Sequence, residues 1–217
     1  LINSLKFHVM KKLYVSNATE SVRMFKSNWM EALSKVHFSV PLFIYIPVIG
    51  FMTWRAFDGG ISLLYYFLFV AAGIIVWTAT EYLLHRFVFH FEPSSEWGRR
   101  IHFIFHGVHH DYPKDAKRLV MPPSASIPLA IGFYFLFYVL FENKVYLYPF
   151  YSGFIAGYLV YDMMHYAMHH YNFKSSLMKR VKQHHMLHHY DDPTKGYGVS
   201  SSLWDAILRS GFPRKKR

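Results

Sequence analysis

Apolar residues gather into four stretches of this chain, at 40–57, 61–84, 124–141 and 145–165, with polar segments of unequal length between them. Each stretch predicts a helix. The second and fourth reach the roughly 20 residues needed to cross a ~30 Å hydrocarbon core, and the other two lie near the lower limit of about 17. Pro41, Pro47 and Pro128 fall inside them, which membrane helices tolerate because neighbouring groups satisfy the freed carbonyls. The connectors that end at Gly60 and Lys144 are so short that the spans pair into two hairpins. Both hairpin tips then share one side of the membrane, and residues 85–123 and 166–217 form a polar cap on the other. The expected fold is an all-α integral membrane protein with four transmembrane helices in two hairpins under a helical cap.

Ahead of the first span, Val22, Phe25, Trp29, Leu33 and Val36 recur at three- and four-residue steps, with Asn17 placed as an N-cap and Glu20 as its capping-box partner. The N-terminal segment 1–39 is therefore expected to hold a helix, lying on the membrane surface or packed on the cap. Residues 40–217 make up the main domain.

Charge fixes the orientation. All of the 24 lysines and arginines except Arg55 and Lys144 lie on the cap side, so by the positive-inside rule the cap is cytoplasmic. The basic excess over 13 acidic residues is thus explained by topology, and no nucleic-acid partner is expected. Residues 1–39 carry charges throughout and lack an apolar core, so no cleavable signal peptide is read there, and Met10 looks like a native start. With no cysteine in the chain, disulfides, thiolate metal ligands and the usual iron–sulfur clusters are excluded.

Histidine carries the chemistry. Eleven of the 15 fall into four groups: His85 and His90; His106, His109 and His110; His165, His169 and His170; His185, His188 and His189. Residues three and four apart share a helix face, so the second and fourth groups each present converging imidazoles. His165 and His169 are one turn apart, with His170 turned toward a different partner. His85 and His90, five apart, lie about 140° around an ideal helix and serve one site only if the helix changes course between them. His8, His37, His102 and His184 stand outside the groups and read as surface or simple polar contacts. Many neutral imidazoles without thiolate suit zinc, copper, iron or nickel and not calcium or magnesium. Eleven are too many for one four-coordinate zinc, whereas two five-coordinate ions use about ten. Glu81, one turn before His85, and Asp162, three residues before His165, are placed to accept a ring N–H. Lys117 and Arg118 are candidate anchors for a carboxylate or headgroup, and Tyr158 and Tyr161 candidate groove walls. No separate acid or base is assigned; the dimetal centre is the catalytic element.

At His85-Arg-Phe-Val-Phe-His90, His106-Gly-Val-His-His110, His165-Tyr-Ala-Met-His-His170 and His185-Met-Leu-His-His189 the sequence resembles the fatty acid hydroxylase superfamily of membrane di-metal proteins. Lys117-Arg-Leu-Val-Met-Pro-Pro123, Tyr161-Asp162 and Gly196-Tyr-Gly-Val-Ser200 leading to Trp204-Asp205 narrow the likeness to the fatty acid 2-hydroxylases. The resemblance implies two iron ions, which zinc can replace during purification, with O2 as co-substrate. It further implies hydroxylation at carbon 2 of a long acyl chain, free or within a sphingolipid. Electrons would come from an external donor, a cytochrome b5-like protein, a ferredoxin or similar, since residues 1–39 are too few for a b5 domain. That departure favours a bacterial inner membrane over the endoplasmic reticulum. Competing readings are a sterol or carotenoid oxidase of the same superfamily, a histidine-rich zinc hydrolase and a metal transporter. Transport is disfavoured because the clusters sit at one end of the spans, with no ligands along their depth.

Overall fold

Helices α2 (Val40–Asp58), α3 (Leu63–Leu84), α6 (Pro123–Leu140) and α7 (Lys144–His170) set the frame of the computed structural model, which describes residues 13–213. Met10 and His8 lie outside the described residues. Among these residues the regular elements are all helical. The turn between α2 and α3 depends on Gly60, whose left-handed φ of 81° lets Ile61 N–H donate to the carbonyl of Ala56 at 3.2 Å.

α7 packs most extensively on α3 and next on α2. A methyl group on Gly73 would run into the carbonyl of Phe150, and one on Gly153 into that of Val70, so the two backbones touch where only glycine fits. Tyr45, Trp77, Phe137, Phe150, Phe154 and Tyr158 fill the core around α7. α2, α3 with its continuation to Phe89, and α6 are long and apolar enough to cross a membrane, with mean hydropathies of 1.5, 1.9 and 1.6. Their outer faces expose Phe43, Ile75 and Val139 among others. α7 is the fourth expected span. It is the longest helix, 27 residues, but it is buried along most of its length and carries tyrosines, histidines and Asp162, so length and apolarity mark three spans rather than four.

The polar part contains α4 (Glu96–His102), α5 (Val108–Asp111), α8 (Ser176–Tyr190) and α9 (Leu203–Ile207). It also contains two π-helical turns, His85–Phe89 and Phe103–Gly107. The N-terminal segment departs from expectation: among its described residues only Asn28–Leu33, α1, is helical. Asn17 caps nothing and instead accepts from the Tyr190 hydroxyl at 3.1 Å, and Glu20 is exposed. Tertiary partners outbid the local periodicity here. Arg118 donates to the carbonyl of Val22 and pairs with Glu31 at 2.7 Å, and Glu31 accepts from the amides of Met24 and Phe25, both at 3.0 Å. The result is an extended strap closed by one helical turn and a half.

Burial alone would raise the Glu31 carboxyl, but Lys35, the two amides and Arg118 bring it down to about 2. Because the folded value lies below the ordinary 4.5, the stabilisation it gives the strap is present above pH 4.5 and is lost as pH falls toward 2. Protection of the Met24 and Phe25 amides, measured as exchange relative to the intrinsic rate at each pH, should be high at neutral pH and fall near the low end of that window. Protection unchanged across it would contradict this role for Glu31.

Candidate metal centre

Ten of the eleven grouped histidines converge into two sets of five. His85, His90, His106, His110 and His188 form one, and His109, His165, His169, His185 and His189 the other; within each set one nitrogen per ring lies within 4.8 Å of all the others. Helix phase explains the sorting. In three of the four boxes the residues four apart join the same set: His106 with His110, His165 with His169, His185 with His189. The residue three along goes to the opposite set, so His109 joins the second and His188 the first. The expectation that each His-x-x-His-His box converges as a unit is corrected accordingly: adjacent helix residues diverge by about 100° and so serve different sets.

His85 and His90 meet through the first π-helical turn, in which His90 N–H donates to the carbonyl of His85 at 3.1 Å. An i→i+5 turn brings residues five apart onto one face, which an α-helix does not. His170 belongs to neither set. One residue past His169, it points elsewhere and lies against Tyr166, with ring centroids 4.6 Å apart.

The rings are arranged as ligands. In the first set, Nε2 atoms of His85, His90 and His106 lie 3.0–3.2 Å apart in a triangle, and His110 and His188 each approach within 2.9 Å of one of them. In the second set the corresponding separations are 2.8 Å for His165–His109, 2.9 Å for His169–His185 and 3.2 Å for His189–His185. Metal–nitrogen bonds of about 2.0–2.1 Å at right angles put neighbouring nitrogens roughly 2.9 Å apart, so these spacings fit one ion per set. His85 Nδ1–H donates to the carbonyl of Tyr197 and His188 Nδ1–H to that of Lys195, leaving both Nε2 lone pairs directed inward. Burial, followed by the neighbouring imidazoles, holds His188 down to about 3 and His106, His109, His110, His185 and His189 well below the usual imidazole value. Neutral rings are what a metal ion requires.

The carboxylates act one step further out than expected. Glu81 accepts from the amides of Val199 and Ser200, both at 2.8 Å, and from the Ser200 hydroxyl. Asp205 accepts from the amides of Tyr197 at 3.0 Å and Gly198 at 2.8 Å, from the Ser210 hydroxyl and from His184 at 2.9 Å. Four consecutive amides, 197–200, are thus held by two carboxylates, and carbonyls at the start of the same loop hold His85 and His188. Gly196 makes the loop possible, with a left-handed φ of 71°. Although burial alone would raise Asp205, His184, Gly198 and Ser210 keep it below the usual carboxylate range. Neither His184 nor Asp205 was expected at the site from spacing; only the Trp204-Asp205 motif pointed there. Asp162, like Glu81, bonds no histidine, accepting instead from Met121 N–H at 3.2 Å and the Tyr158 hydroxyl at 3.1 Å.

An apolar cavity of 290 Å³ adjoins both sets. Its walls include His106 of the first set and His109 and His165 of the second, with Tyr161, Met121 and Phe105 beside them and Met24, Phe25, Met30 and Leu33 of the strap above. Tyr161 lies against His165 at 5.8 Å. Tyr158 is buried below, in the core between α2, α3 and α7. Arg118 touches the cavity but has its donors committed to Val22, Ser34 and Glu31, and Lys117 is exposed and off the cavity wall. The reading of this pair as headgroup anchors is therefore corrected for Arg118, whose guanidinium serves the strap.

Comparison with known proteins accords with this geometry. A sequence model of the fatty acid hydroxylase family matches residues 69–210. The chain is 38% identical to a dihydroceramide fatty acyl 2-hydroxylase of Arabidopsis thaliana, covering 91% of this chain and 85% of that one. It is 35% identical to a fatty acid 2-hydroxylase of Rattus norvegicus, covering 89% of this chain and 58% of the rat protein. The solved structure of full-length scs7p, in which only the hydroxylase domain is visible, superposes with a TM-score of 0.80 at 35% identity, covering 86% of this chain and 70% of that one. These relatives come from a plant and a mammal, and a yeast ceramide very long chain fatty acid hydroxylase also matches, so the expected bacterial inner membrane gains no support. The chain belongs to the fatty acid hydroxylase family.

Proposed function

We propose that this chain is an integral membrane fatty acid 2-hydroxylase whose ten converging histidines hold two iron ions. The single observation that carries the reading is the apolar cavity walled by ligand-type histidines of both sets. When bound, the iron pair would supply the oxidising power to break an unactivated C–H bond, which no side chain has. The overall change is balanced by O2 and a separate electron carrier: the acyl C–H, O2, two electrons and two protons give the C–OH and one water.

The chain's own residues bind and orient. The cavity would take the carboxyl-proximal part of an acyl chain and exclude water from it, while Tyr161 and Met121 limit its sideways movement. Glu81 and Asp205 fix the loop that aims His85 and His188. Depth supports carbon 2. His165 lies 21 residues along α7 from Lys144, about 32 Å at 1.5 Å per residue, which matches the ~30 Å hydrocarbon thickness if α7 is the fourth span. The metals then sit at the cytoplasmic interface, where the polar end of a lipid rests and its methyl end does not reach. Residues 40–217 would form the hydroxylase domain, with the cap facing the cytoplasm.

Mass spectrometry of lipids from cells expressing the chain, against cells expressing His189→Ala, tests this. A 2-hydroxy acyl product confined to the first sample is expected. Oxygen found mid-chain, at the terminal methyl or only on sterols would overturn the carbon-2 assignment.

A further inference from the structure

The strap lies outside the segment matched by the family model, which begins at residue 69, yet four of its apolar side chains line the cavity. Met24, Phe25, Met30 and Leu33 face the same space as His106, His109 and His165. Met30, Leu33 and Phe105 are each about half exposed, so these three lining residues lie where the cavity meets the surroundings. Trp29 beside them is 73% exposed, which continues the apolar rim outward.

The strap is held from within. Arg118 is buried and donates to Val22 O at 3.0 Å, to Ser34 Oγ at 3.0 Å and to Glu31 Oε1 at 2.7 Å, so one guanidinium bonds the strap at three places along its length. Glu31 then fixes Met24 and Phe25 through their amides. Asp115 receives Val22 N–H at 3.0 Å and itself lies 3.5 Å from Arg118. Further bonds run from Val36 N–H to Lys117 O at 3.1 Å and from Ser124 Oγ to Leu33 O at 3.0 Å. A surface segment with no function in the cavity has no need of a buried arginine, whose planar fork suits several fixed acceptors at once.

We infer that the segment from Val22 to Val36 is the selectivity element of the reaction, its four apolar side chains setting which acyl carbon faces the two histidine sets, with Arg118 and Glu31 as the positioning pair that holds them there. This rests on the acyl-hydroxylase reading above. Carbon 2, next to the carbonyl, differs from carbon 3 in bond strength and polarity, but which of the two meets the oxidant also depends on how far the chain slides into the cavity, and an error of about 1 Å in placement is enough to cost about 10²-fold in rate. Side chains that share the cavity with the histidines bear on that depth, and four of them belong to the strap.

The test uses the full-length, iron-loaded protein in lipid nanodiscs with an electron donor, and reads the ratio of 3-hydroxy to 2-hydroxy acyl product together with the iron content. Two variants loosen the wall by different routes: Glu31→Gln weakens the hold on the strap, and Met30→Ala combined with Leu33→Ala removes wall atoms while leaving the ion pair intact. Both are expected to raise the 3-hydroxy share about tenfold over the unaltered protein with iron content unchanged, as losing a methylene-scale contact does. Unchanged regiochemistry in the double variant, or loss of iron in step with loss of activity, would overturn the inference and leave the strap a support for the fold. Absence of 2-hydroxy product from the unaltered protein would instead sink the functional reading itself.

Discussion

Alanine in place of His85, His109, His169 or His189 is expected to abolish hydroxylation while the protein still inserts in the membrane. Each of these rings belongs to a five-nitrogen set whose members approach one another at about 2.8–3.2 Å, and removing one opens the set on one side. Members of a catalytic unit do not contribute additively, so the loss should reach roughly 10³-fold or more for any one of them. Insertion is expected to rest on α2, α3 and α6, which contain none of the four residues; His85 lies in the turn that continues α3 to Phe89. His170→Ala is the internal comparison. It lies outside both sets, packed on Tyr166, and should leave most activity in place. Activity and membrane fractionation measured side by side decide the matter: full activity in a box variant would remove that histidine from the ligand set, and inactivity of His170→Ala equal to the others would add it.

The second large effect is expected from two residues that touch no histidine of either set. Asp205→Asn and Glu81→Gln each keep the shape of the side chain but replace an oxygen with a donor that faces other donors: the amides of residues 197–200, and for Asp205 also His184. Leaving buried amides without an acceptor costs about 1–3 kcal/mol each. The loop they release carries the carbonyls that hold His85 and His188, both in the first set. Outer partners of metal-binding histidines are typically worth about 10–100-fold in affinity. Chelator competition on each variant should therefore show one ion leaving 10–100-fold more readily, with the other, held by the His109 set, retained. Equal weakening of both ions, or of neither, would show that the loop does not act through His85 and His188.

Much of this was legible in the chain. The spans read from apolarity lie within two residues of α2, the start of α3 and α6, because a lipid-facing helix has to be apolar all round. α7 was located, but its tyrosines, histidines and aspartate, which a helix surrounded by others can afford, keep length and apolarity from marking it as a span. The histidine boxes pointed by number and spacing to two groups of ligand-type imidazoles, and the structure brings ten of them into two sets of five. Their sorting did not show, because it depends on which face of α5 and of α8 turns toward each ion, and the five-residue step from His85 to His90 gave no sign that the backbone would make a π-helical turn. Glu81 was singled out for its nearness to His85 as an acceptor for a ring N–H, but its partners are amides 118 and 119 residues away in the chain. Arg118 and the strap were the least legible. The periodic Val22, Phe25, Trp29, Leu33 and Val36 predicted a helix, and contacts to Arg118 and Glu31 that no local pattern encodes drew most of it out straight.

Metal analysis of the purified, iron-loaded chain tests the two-ion centre most directly. Two ions per chain are expected, with one remaining in a variant that combines His85→Ala and His188→Ala, both drawn from the same set of five. A single ion per chain in a fully active protein, or two retained after that double substitution, would contradict it.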